Sequence, residues 1–231
     1  MAGGELKLLG TWASPFAMRV KLALNFKGLS YDNIEEDLRN KSDLLISSNP
    51  VHKKVPVLIH NGKPICESRI IVEYIDEAFV GTGPSLLPAD LYERAIARFW
   101  AAYIDNKLLA SWFQTFTGKT EEEKAEAVKQ TLAAAEHMEA AFKECSKGKP
   151  FFGGNSVGYV DVTLGSLVAL VRTSETYDFK PFDATRSPLL NAWLERFAAL
   201  DAVKTVVPDT DRLVDYAKTR LAEAAAAVSN N

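Results

Sequence analysis

The sequence is short of the residues that mark several classes of protein. It contains only two cysteines, Cys66 and Cys145, which are too few for a disulfide framework and fit a reducing compartment. No apolar run approaches the roughly 20 residues that cross a bilayer. The opening Met-Ala-Gly-Gly-Glu is neither basic nor apolar. We therefore expect a cytoplasmic protein with no secretory signal, no membrane partner and two free, buried thiols.

An excess of charge of one sign is also missing. The chain has 27 Lys+Arg against 30 Asp+Glu, a net charge of -3, and no long block of either sign. That balance argues against a nucleic-acid partner. The three histidines, His52, His60 and His137, lack the spacing of metal ligands, so we interpret them as structural and expect no metal.

The remaining composition is that of a globular protein with a proper core. Hydrophobic residues make up 47% of the 231 positions, enough for one large domain or two small ones. The first eighty residues alternate between strand and helix patterns. Strands are predicted at 5–10, 30–36, 53–59 and 63–66, and helices at 15–27, 43–47 and 68–78. Asn61-Gly62 joins the last two strands as a hairpin.

This order, β-α-β-α-β-β-α, is thioredoxin-like, and a right-handed crossover places its first two strands side by side. From residue 91 onward the patterns are helical only, at 91–117, 121–145, 159–176, 188–198 and 209–227. The predicted inner face of helix 68–78 consists of Ile70, Ile71, Tyr74 and Ile75. Helix 91–117 carries Leu91, Ala95, Phe99 and Ala102 at helical spacing. We therefore predict an α/β domain (1–80), a linker (81–90) and an all-helical domain (91–231).

The loop Trp12–Phe16 carries the most informative chemistry. Ser14 falls at the N-cap of the first helix and Pro15 at its first position, where a missing N–H costs nothing. This Ser-Pro pattern is typical of a well-formed helix N-terminus. It also describes a hydroxyl beside free N–H donors at a positive helix end, which suits an anionic ligand atom. Arg19, one turn further on, is expected at the surface.

Several stretches, in this order, carry a resemblance over nearly the whole chain. They are Ser14-Pro15-Phe16, the run 36–42, the run 49–58 (Asn-Pro-Val-His-Lys-Lys-Val-Pro-Val-Leu), Cys66-Glu67-Ser68, Arg98–Ala101 and Phe152-Gly153-Gly154. Together they resemble the glutathione transferases, specifically the tau class of plants. The resemblance implies a thioredoxin-like domain followed by an all-helical one, and a homodimer. The implied activity is conjugation of the glutathione thiolate to hydrophobic electrophiles, with glutathione peroxidase activity as a further expectation. Glutathione would be a co-substrate, and no cofactor is implied.

The resemblance also implies roles for single residues. Ser14 resembles the serine that hydrogen-bonds the glutathione sulfur. Val55 resembles the residue whose main chain pairs with the cysteinyl unit, and Pro56 the cis-proline after it. The γ-glutamyl end would be held by Glu67 and Ser68, and the glycyl carboxylate would face Lys41 and Lys54. Taken singly, the same residues read as surface charges, a helix cap and a strand entry.

The second substrate is expected against the helical domain. By position in the family the candidates are Phe16, Leu38, Leu109, Trp112, Phe113, Phe116 and Tyr216, although aromatics at helical spacing also serve as core. Asp161 resembles the family's capping aspartate, with Gly158 at the cap and Val157 and Val162 as a hydrophobic staple, so its role is structural.

Two other functions were weighed. A glutathione-dependent thiol reductase of this fold, such as a dehydroascorbate reductase, places cysteine where Ser14 stands, so that chemistry is disfavoured. A non-catalytic carrier of apolar ligands stays open on sequence grounds.

Overall fold

The chain folds as an α/β half followed by a helical half. The computed structural model describes residues 5–229, so residues 1–4 and 230–231 of the two predicted domains lie outside the described residues. The α/β half contains a four-stranded sheet in the order β2-β1-β3-β4. Its strands are β1 (Leu6–Gly10), β2 (Asp32–Glu35), β3 (Val57–His60) and β4 (Lys63–Cys66). The β1–β2 pair is parallel and the other two pairs are antiparallel, which confirms the predicted thioredoxin-like arrangement.

Local sequence explains how the elements of this half begin and end. Its helices are α1 (Pro15–Phe26), α2 (Asp43–Ser48) and α3 (Ser68–Ala78). Gly28 has φ +65°, the left-handed conformation that ends α1. Asn61 and Gly62 both have positive φ, as the tight hairpin requires. Because strand side chains alternate, Leu8 faces the core under α1 and α3, and Leu9 packs with Leu45 and Val57 on the other face.

The helical half contains eight helices and one π-helical turn within the described residues. They are α4 (Leu91–Tyr103), the π-turn (Ile104–Leu109), α5 (Ala110–Thr117), α6 (Glu121–Ser146), α7 (Tyr159–Gly165), α8 (Val168–Glu175), α9 (Pro188–Ala198), α10 (Asp201–Lys204) and α11 (Thr210–Ser229). The predicted helix 159–176 is broken at Ser166 and Leu167, and α10 was not predicted. None of these helices combines the length and the apolar character that a bilayer-spanning segment needs.

The predicted inner face of α3 is buried at Ile71 and Ile75 but not at Ile70, and the apolar spacing noted on α4 does not mark its buried face. On α4, Leu91 is 78% exposed and Phe99 56% exposed, whereas Ala97 and Ala101 are buried. This helix carries two apolar stripes, and the stripe of alanines lets α4 pack closely against α7. On α3, Ile70 is 57% exposed. The hydrophobic periodicity therefore predicted the helices, but it did not predict that Ile70, Leu91 and Phe99 would be exposed.

The segment between the halves is pinned by a buried ion pair. Lys27 Nζ lies 3.0 Å from Asp76 Oδ1, and both side chains are nearly inaccessible. The Asp76 carboxylate also accepts the N–H groups of Leu86 and Leu87, each at 2.9 Å. Lys27 donates in addition to the Pro84 carbonyl at 3.2 Å. The segment 81–90, predicted as a linker, is thus held against α1 and α3, and the exact domain bounds stay a prediction.

Asp161 lies at the centre of the helical half. Its carboxylate accepts hydrogen bonds from the N–H groups of Phe152, Gly153 and Gly158, each at 2.9 Å, and from Trp193 Nε1 at 2.8 Å. Burial raises the pKa of Asp161 to about 6, and the four donors oppose that rise. One side chain therefore joins the start of α7, the loop before it and α9.

The two cysteines are unpaired, as expected, but each is only partly buried. Desolvation is the largest cause that raises the pKa of the Cys66 thiol and of the Cys145 thiol.

Candidate functional site: a cleft beside the start of the first helix

Ser14 caps α1 and keeps its hydroxyl proton available. Its backbone is extended (φ -84°, ψ 119°), and its Oγ accepts the N–H of Ala17 at 3.2 Å. Within residues 5–229 the Ser14 hydroxyl hydrogen has no protein acceptor. The preceding loop is fixed because the Trp12 N–H donates to Glu35 Oε1 at 2.7 Å. The cap and a free O–H donor at the positive helix end therefore coexist.

A cavity of about 300 Å³ opens beside this helix start. Its lining comes from α1, the loop after α2 and the start of α3: Phe16, Asn49, His52, Lys54, Val55, Pro56, Glu67 and Ser68. Six of these residues were candidates from the sequence, and Asn49 and His52 were not. Ser14 and Lys41 are candidates that do not line the cavity itself.

The loop that carries Val55 is shaped by Asn49. The Asn49 side chain is buried, donates to the Lys54 carbonyl at 3.0 Å and accepts the His52 N–H at 3.1 Å. The Val55–Pro56 peptide bond is cis. The main chain of Val55 makes no hydrogen bond to the rest of the described chain, so it is available to a ligand. Asn49 begins the 49–58 run that carries the family resemblance, but the resemblance assigned it no role of its own.

Glu67 is held in an uncommon backbone conformation at the edge of the cavity. Its φ is +71° and its ψ 112°, a region that costs a non-glycine residue about 1–3 kcal/mol. Its carbonyl accepts the N–H of Ile71 at 2.8 Å, which begins α3. The carboxylate is largely exposed, and the His52 Nε2 atom lies 3.9 Å from its Oε1. This backbone directs the Glu67 carboxylate toward solvent and the cavity.

A buried arginine, Arg19, holds the Ser68 hydroxyl in place. The expectation that Arg19 lies at the surface was wrong. Arg19 is 0% exposed rather than at the surface. Its Nη1 donates to Ser68 Oγ at 3.0 Å. Its two terminal nitrogens also bind Asp105, at 3.1 and 2.7 Å. Arg69 Nε approaches the same carboxylate at 3.1 Å, so both halves of the chain position Ser68.

Asp105 reaches this network from the π-turn at the end of α4. Wide turns of this kind occur often at functional sites. The buried Arg19 guanidinium requires a carboxylate partner. Nothing in the sequence near Arg19 identifies Asp105, which lies 86 positions further along the chain.

Lys41 and Lys54 are both exposed. Among the described residues neither forms a salt bridge, and Lys54 lines the cavity. An ammonium group without an internal partner is available to an external carboxylate.

The residues that were expected to bind the electrophile fall into two groups, one buried and one with accessible surface. Trp112 is 0% exposed, donates from Nε1 to Ser174 Oγ at 2.9 Å, and packs against Phe179 and Phe182. Leu109 is equally enclosed. Both belong to the core in this structure, because the helices around them close over their side chains.

The other expected electrophile residues keep accessible surface: Phe16, Leu38, Phe113, Phe116 and Tyr216. Of these, Tyr216 on α11 is the one in ring contact with the Ser14 loop, at 5.3 Å between ring centroids from Trp12. The Arg212 guanidinium lies over the same Trp12 ring, 3.9 Å from its centroid. Sequence reasoning placed Trp12 in the Ser14 loop without a ligand-binding role, and it did not identify Arg212.

Comparison with known proteins assigns the chain to a family. Residues 4–77 match the family model for the glutathione S-transferase N-terminal domain, and residues 121–196 match the model for its C-terminal domain. The chain is 54% identical to a probable glutathione S-transferase, GSTU6, of Oryza sativa subsp. japonica, over 96% of this chain and 97% of the relative. It is 48% identical to glutathione S-transferase U17 of Arabidopsis thaliana, over 94% and 96%.

Similar solved structures support the same family assignment. The tau-class glutathione S-transferase MiGSTU from mango, Mangifera indica L., is 49% identical with a TM-score of 0.88, covering 93% of this chain and 98% of that one. Rice GST1 (OsGSTU1), solved in complex with glutathione, is 37% identical with a TM-score of 0.87, covering 96% and 99%. The chain therefore belongs to the glutathione S-transferase family. Within that family it is a member of the tau class.

Proposed function

We propose that this protein transfers the thiolate of glutathione to hydrophobic electrophiles. The observation that carries the proposal is the free Ser14 hydroxyl at the start of α1, beside a cavity of about 300 Å³. Membership in the glutathione S-transferase family supports it. The reaction joins the glutathione sulfur to an electrophilic carbon, whose leaving group departs with the bonding electrons.

The cleft offers a partner for each part of glutathione. The main chain of Val55 pairs with the cysteinyl unit as an added strand would. Ser68 and the first N–H groups of α3 bind the γ-glutamyl carboxylate, and Glu67 accepts from the ammonium. Lys54 and Lys41 attract the glycyl carboxylate. Arg19 and Asp105 act through Ser68 as positioning residues, because neither faces the cavity.

The energy needed to activate the thiol is modest. A thiol with a pKa of about 8.5 is mostly protonated at pH 7, and lowering that pKa by about 2 units takes about 2.7 kcal/mol. One hydrogen bond to a charged group supplies roughly 1.5–3 kcal/mol, and a helix N-terminus roughly 0.3–1 kcal/mol. Ser14 and the start of α1 together therefore supply most of the stabilisation.

The electrophile is proposed to bind on the α11 side of Ser14. Tyr216 and Phe16 flank that side, and Leu38, Phe113 and Phe116 remain candidates with accessible surface. We assign Leu109 and Trp112 a supporting role in the core behind the pocket, since neither presents surface to a ligand.

The test is conjugation of glutathione to 1-chloro-2,4-dinitrobenzene, followed by absorbance of the product. We expect saturable turnover at neutral pH. A ligand that binds with no turnover at saturating glutathione would instead favour the carrier function. Reduction of dehydroascorbate should be negligible, because Ser14 offers no thiol for a mixed disulfide.

We also propose that the protein is a cytoplasmic homodimer. Ile70 on α3 and Leu91, Tyr92 and Phe99 on α4 are large exposed hydrophobic residues. The two helices adjoin, because Arg98 on α4 donates to Glu73 on α3 at 2.7 Å. Contiguous exposed apolar surface of this kind marks an association site. Unpaired cysteines agree with a reducing compartment.

A further inference from the structure

Arg212 and Tyr216 face the same loop from one side of α11. The Arg212 guanidinium carbon lies 3.9 Å from the centroid of the Trp12 ring, and the Tyr216 ring meets that ring edge-on at 5.3 Å. Residues four apart share a helix face. This face of α11 is therefore turned toward the loop that carries Ser14.

The main chain of Trp12 lies close to the place where chemistry is proposed to occur. Trp12 precedes Ser14 by two residues, so their Cα atoms are at most about 7 Å apart. The inference below rests on the proposed function, in which Ser14 holds the glutathione sulfur. An electrophile that approaches that sulfur from the α11 side passes the Arg212 guanidinium.

The Arg212 guanidinium has no carboxylate partner within residues 5–229, and two acidic residues of this region accept main-chain N–H groups instead. Glu35 accepts the N–H of Trp12 at 2.7 Å. Asp209 accepts the main-chain N–H of Arg212 at 2.9 Å, as a helix cap. Asp211 is the adjacent residue on α11, and adjacent residues do not face each other on a helix.

Other charges further along α11 are paired. Asp215 lies 3.7 Å from Lys218 Nζ, and Arg220 lies 3.1 Å from Glu223 Oε2. Arg212 differs from Arg220 in that its cation rests on an aromatic face instead of a carboxylate. A guanidinium stacked by its face keeps its N–H donors in the plane, pointing outward from the stack. That edge matches a carboxylate in a two-point contact.

We propose that Arg212 is a specificity residue that selects electrophiles bearing a carboxylate or similar anionic group. The apolar body of the electrophile packs on Tyr216 and Trp12, and its anionic group binds the free edge of Arg212. In the conjugation itself the carbon–sulfur bond forms and the carbon–chlorine bond of a chloroarene breaks. Chloride leaves with the bonding electrons, and the thiol proton has passed to solvent beforehand. Arg212 takes no part in these bond changes.

A matched pair of substrates tests the proposal. The neutral substrate is 1-chloro-2,4-dinitrobenzene, and the anionic one is 4-chloro-3,5-dinitrobenzoate, which carries the same leaving group. We expect Arg212→Gln to lower the ratio of kcat/KM for the benzoate to kcat/KM for the neutral substrate at least tenfold. Arg212→Lys, which keeps the charge, should recover part of the ratio. Arg220→Gln, on the same helix, is the matched control and should leave the ratio as in the wild type.

The proposal is overturned if the ratio in Arg212→Gln stays within twofold of the wild-type ratio, including the case in which both substrates lose activity equally. Absence of turnover with both substrates in the wild type would overturn the proposed function instead. Calorimetric binding of the unreactive 3,5-dinitrobenzoate and 1,3-dinitrobenzene, with glutathione present, then decides the role of Arg212. Arg212→Gln should weaken the benzoate at least tenfold relative to dinitrobenzene, and an equal effect on both would sink the inference.

Discussion

The guanidinium of Arg19 is held by both carboxylate oxygens of Asp105, although 86 positions separate the two residues. Arg19 belongs to the first helix of the α/β half and Asp105 to the π-turn of the helical half. The same guanidinium donates to Ser68 at the edge of the cleft. The proposed glutathione site therefore depends on how the two halves meet, even though the residues that line the cavity come from the first half.

The first prediction concerns the bound thiol. Ser14→Ala should raise the pKa of the glutathione thiol in the complex by about 1–2 units, because one hydrogen bond to a charged group is lost. Turnover at pH 6.5 should fall about 10- to 100-fold, and the difference should shrink as pH rises and the thiolate forms unaided. Ultraviolet titration of the thiolate measures the shift directly.

Two control variants accompany that measurement. Ser14→Thr keeps a hydroxyl and should keep the low pKa. Thr120→Ala removes the cap of α6, where Thr120 Oγ1 accepts the Glu123 N–H at 3.1 Å. It should lose about 1 kcal/mol of stability with the thiol pKa unchanged. An unaltered titration in Ser14→Ala would remove Ser14 from the mechanism.

The second prediction separates stability from binding at the Arg19–Asp105 pair. Asp105→Ala leaves a fully buried guanidinium without its carboxylate and should cost about 3 kcal/mol in denaturant unfolding. The double variant Arg19→Met with Asp105→Leu should recover most of that loss, because an apolar pair replaces a buried ion pair at little cost. The KM for glutathione should be raised in both: in Asp105→Ala because Arg19 loses the carboxylate that orients it toward Ser68, and in the double variant because Ser68 loses its donor. A double variant with wild-type KM would show that the pair has no positioning role.

The third prediction concerns association. Light scattering should give the wild type about twice the 25.4 kDa mass of one chain. A double substitution, Tyr92→Glu with Phe99→Glu, should yield monomers, because it places charge on the exposed apolar face of α4. Leu189→Glu, at an exposed leucine on α9, is the control and should stay dimeric. A wild type that elutes as a monomer at micromolar concentration would contradict the proposal.

The fourth prediction concerns the helical half. Asp161→Ala leaves four N–H donors without an acceptor, and a buried unpaired donor costs about 1–3 kcal/mol. We expect a loss of more than about 3 kcal/mol in unfolding free energy. Trp193→Phe removes one of the donors and should cost about 1 kcal/mol. Protein that remains folded should bind glutathione as the wild type does, and a weakened affinity would count against a purely structural role.

The sequence was most informative where local chemistry decides the structure. Ser14, Ser42 and the Asn61-Gly62 turn are specified by residues within four positions of them, and the element order followed from the patterns. Long-range pairing was not accessible in this way. Burial of Arg19 depends on a carboxylate from the helical half. Trp112 was expected in a pocket from its position in the family, and aromatic spacing alone does not distinguish a core from a binding face.

The α4 helix illustrates the same limit. Both of its apolar stripes fit a helical period, and only packing against α7 decides that the alanines face inward. In the proposed homodimer the exposed stripe is the surface for the second chain, which the pattern alone did not suggest.

Lys27, Asp76 and the segment 84–87 form a hydrogen-bonded latch between α1, α3 and the chain that follows. This latch has a consequence for how such chains diversify. Both of its ionic members, Lys27 and Asp76, come from the α/β half. The following segment contributes main-chain groups at Pro84, Leu86 and Leu87, and the Ser85 hydroxyl at 3.4 Å from Asp76 Oδ2. Apart from that hydroxyl, these groups are supplied by nearly any sequence. A recombination event with its crossover just after α3 would therefore carry the latch intact, and Arg19 with Asp105 would set the main matching requirement. A gene could in this way exchange the half proposed to bind the electrophile while it keeps the residues that line the proposed glutathione cleft.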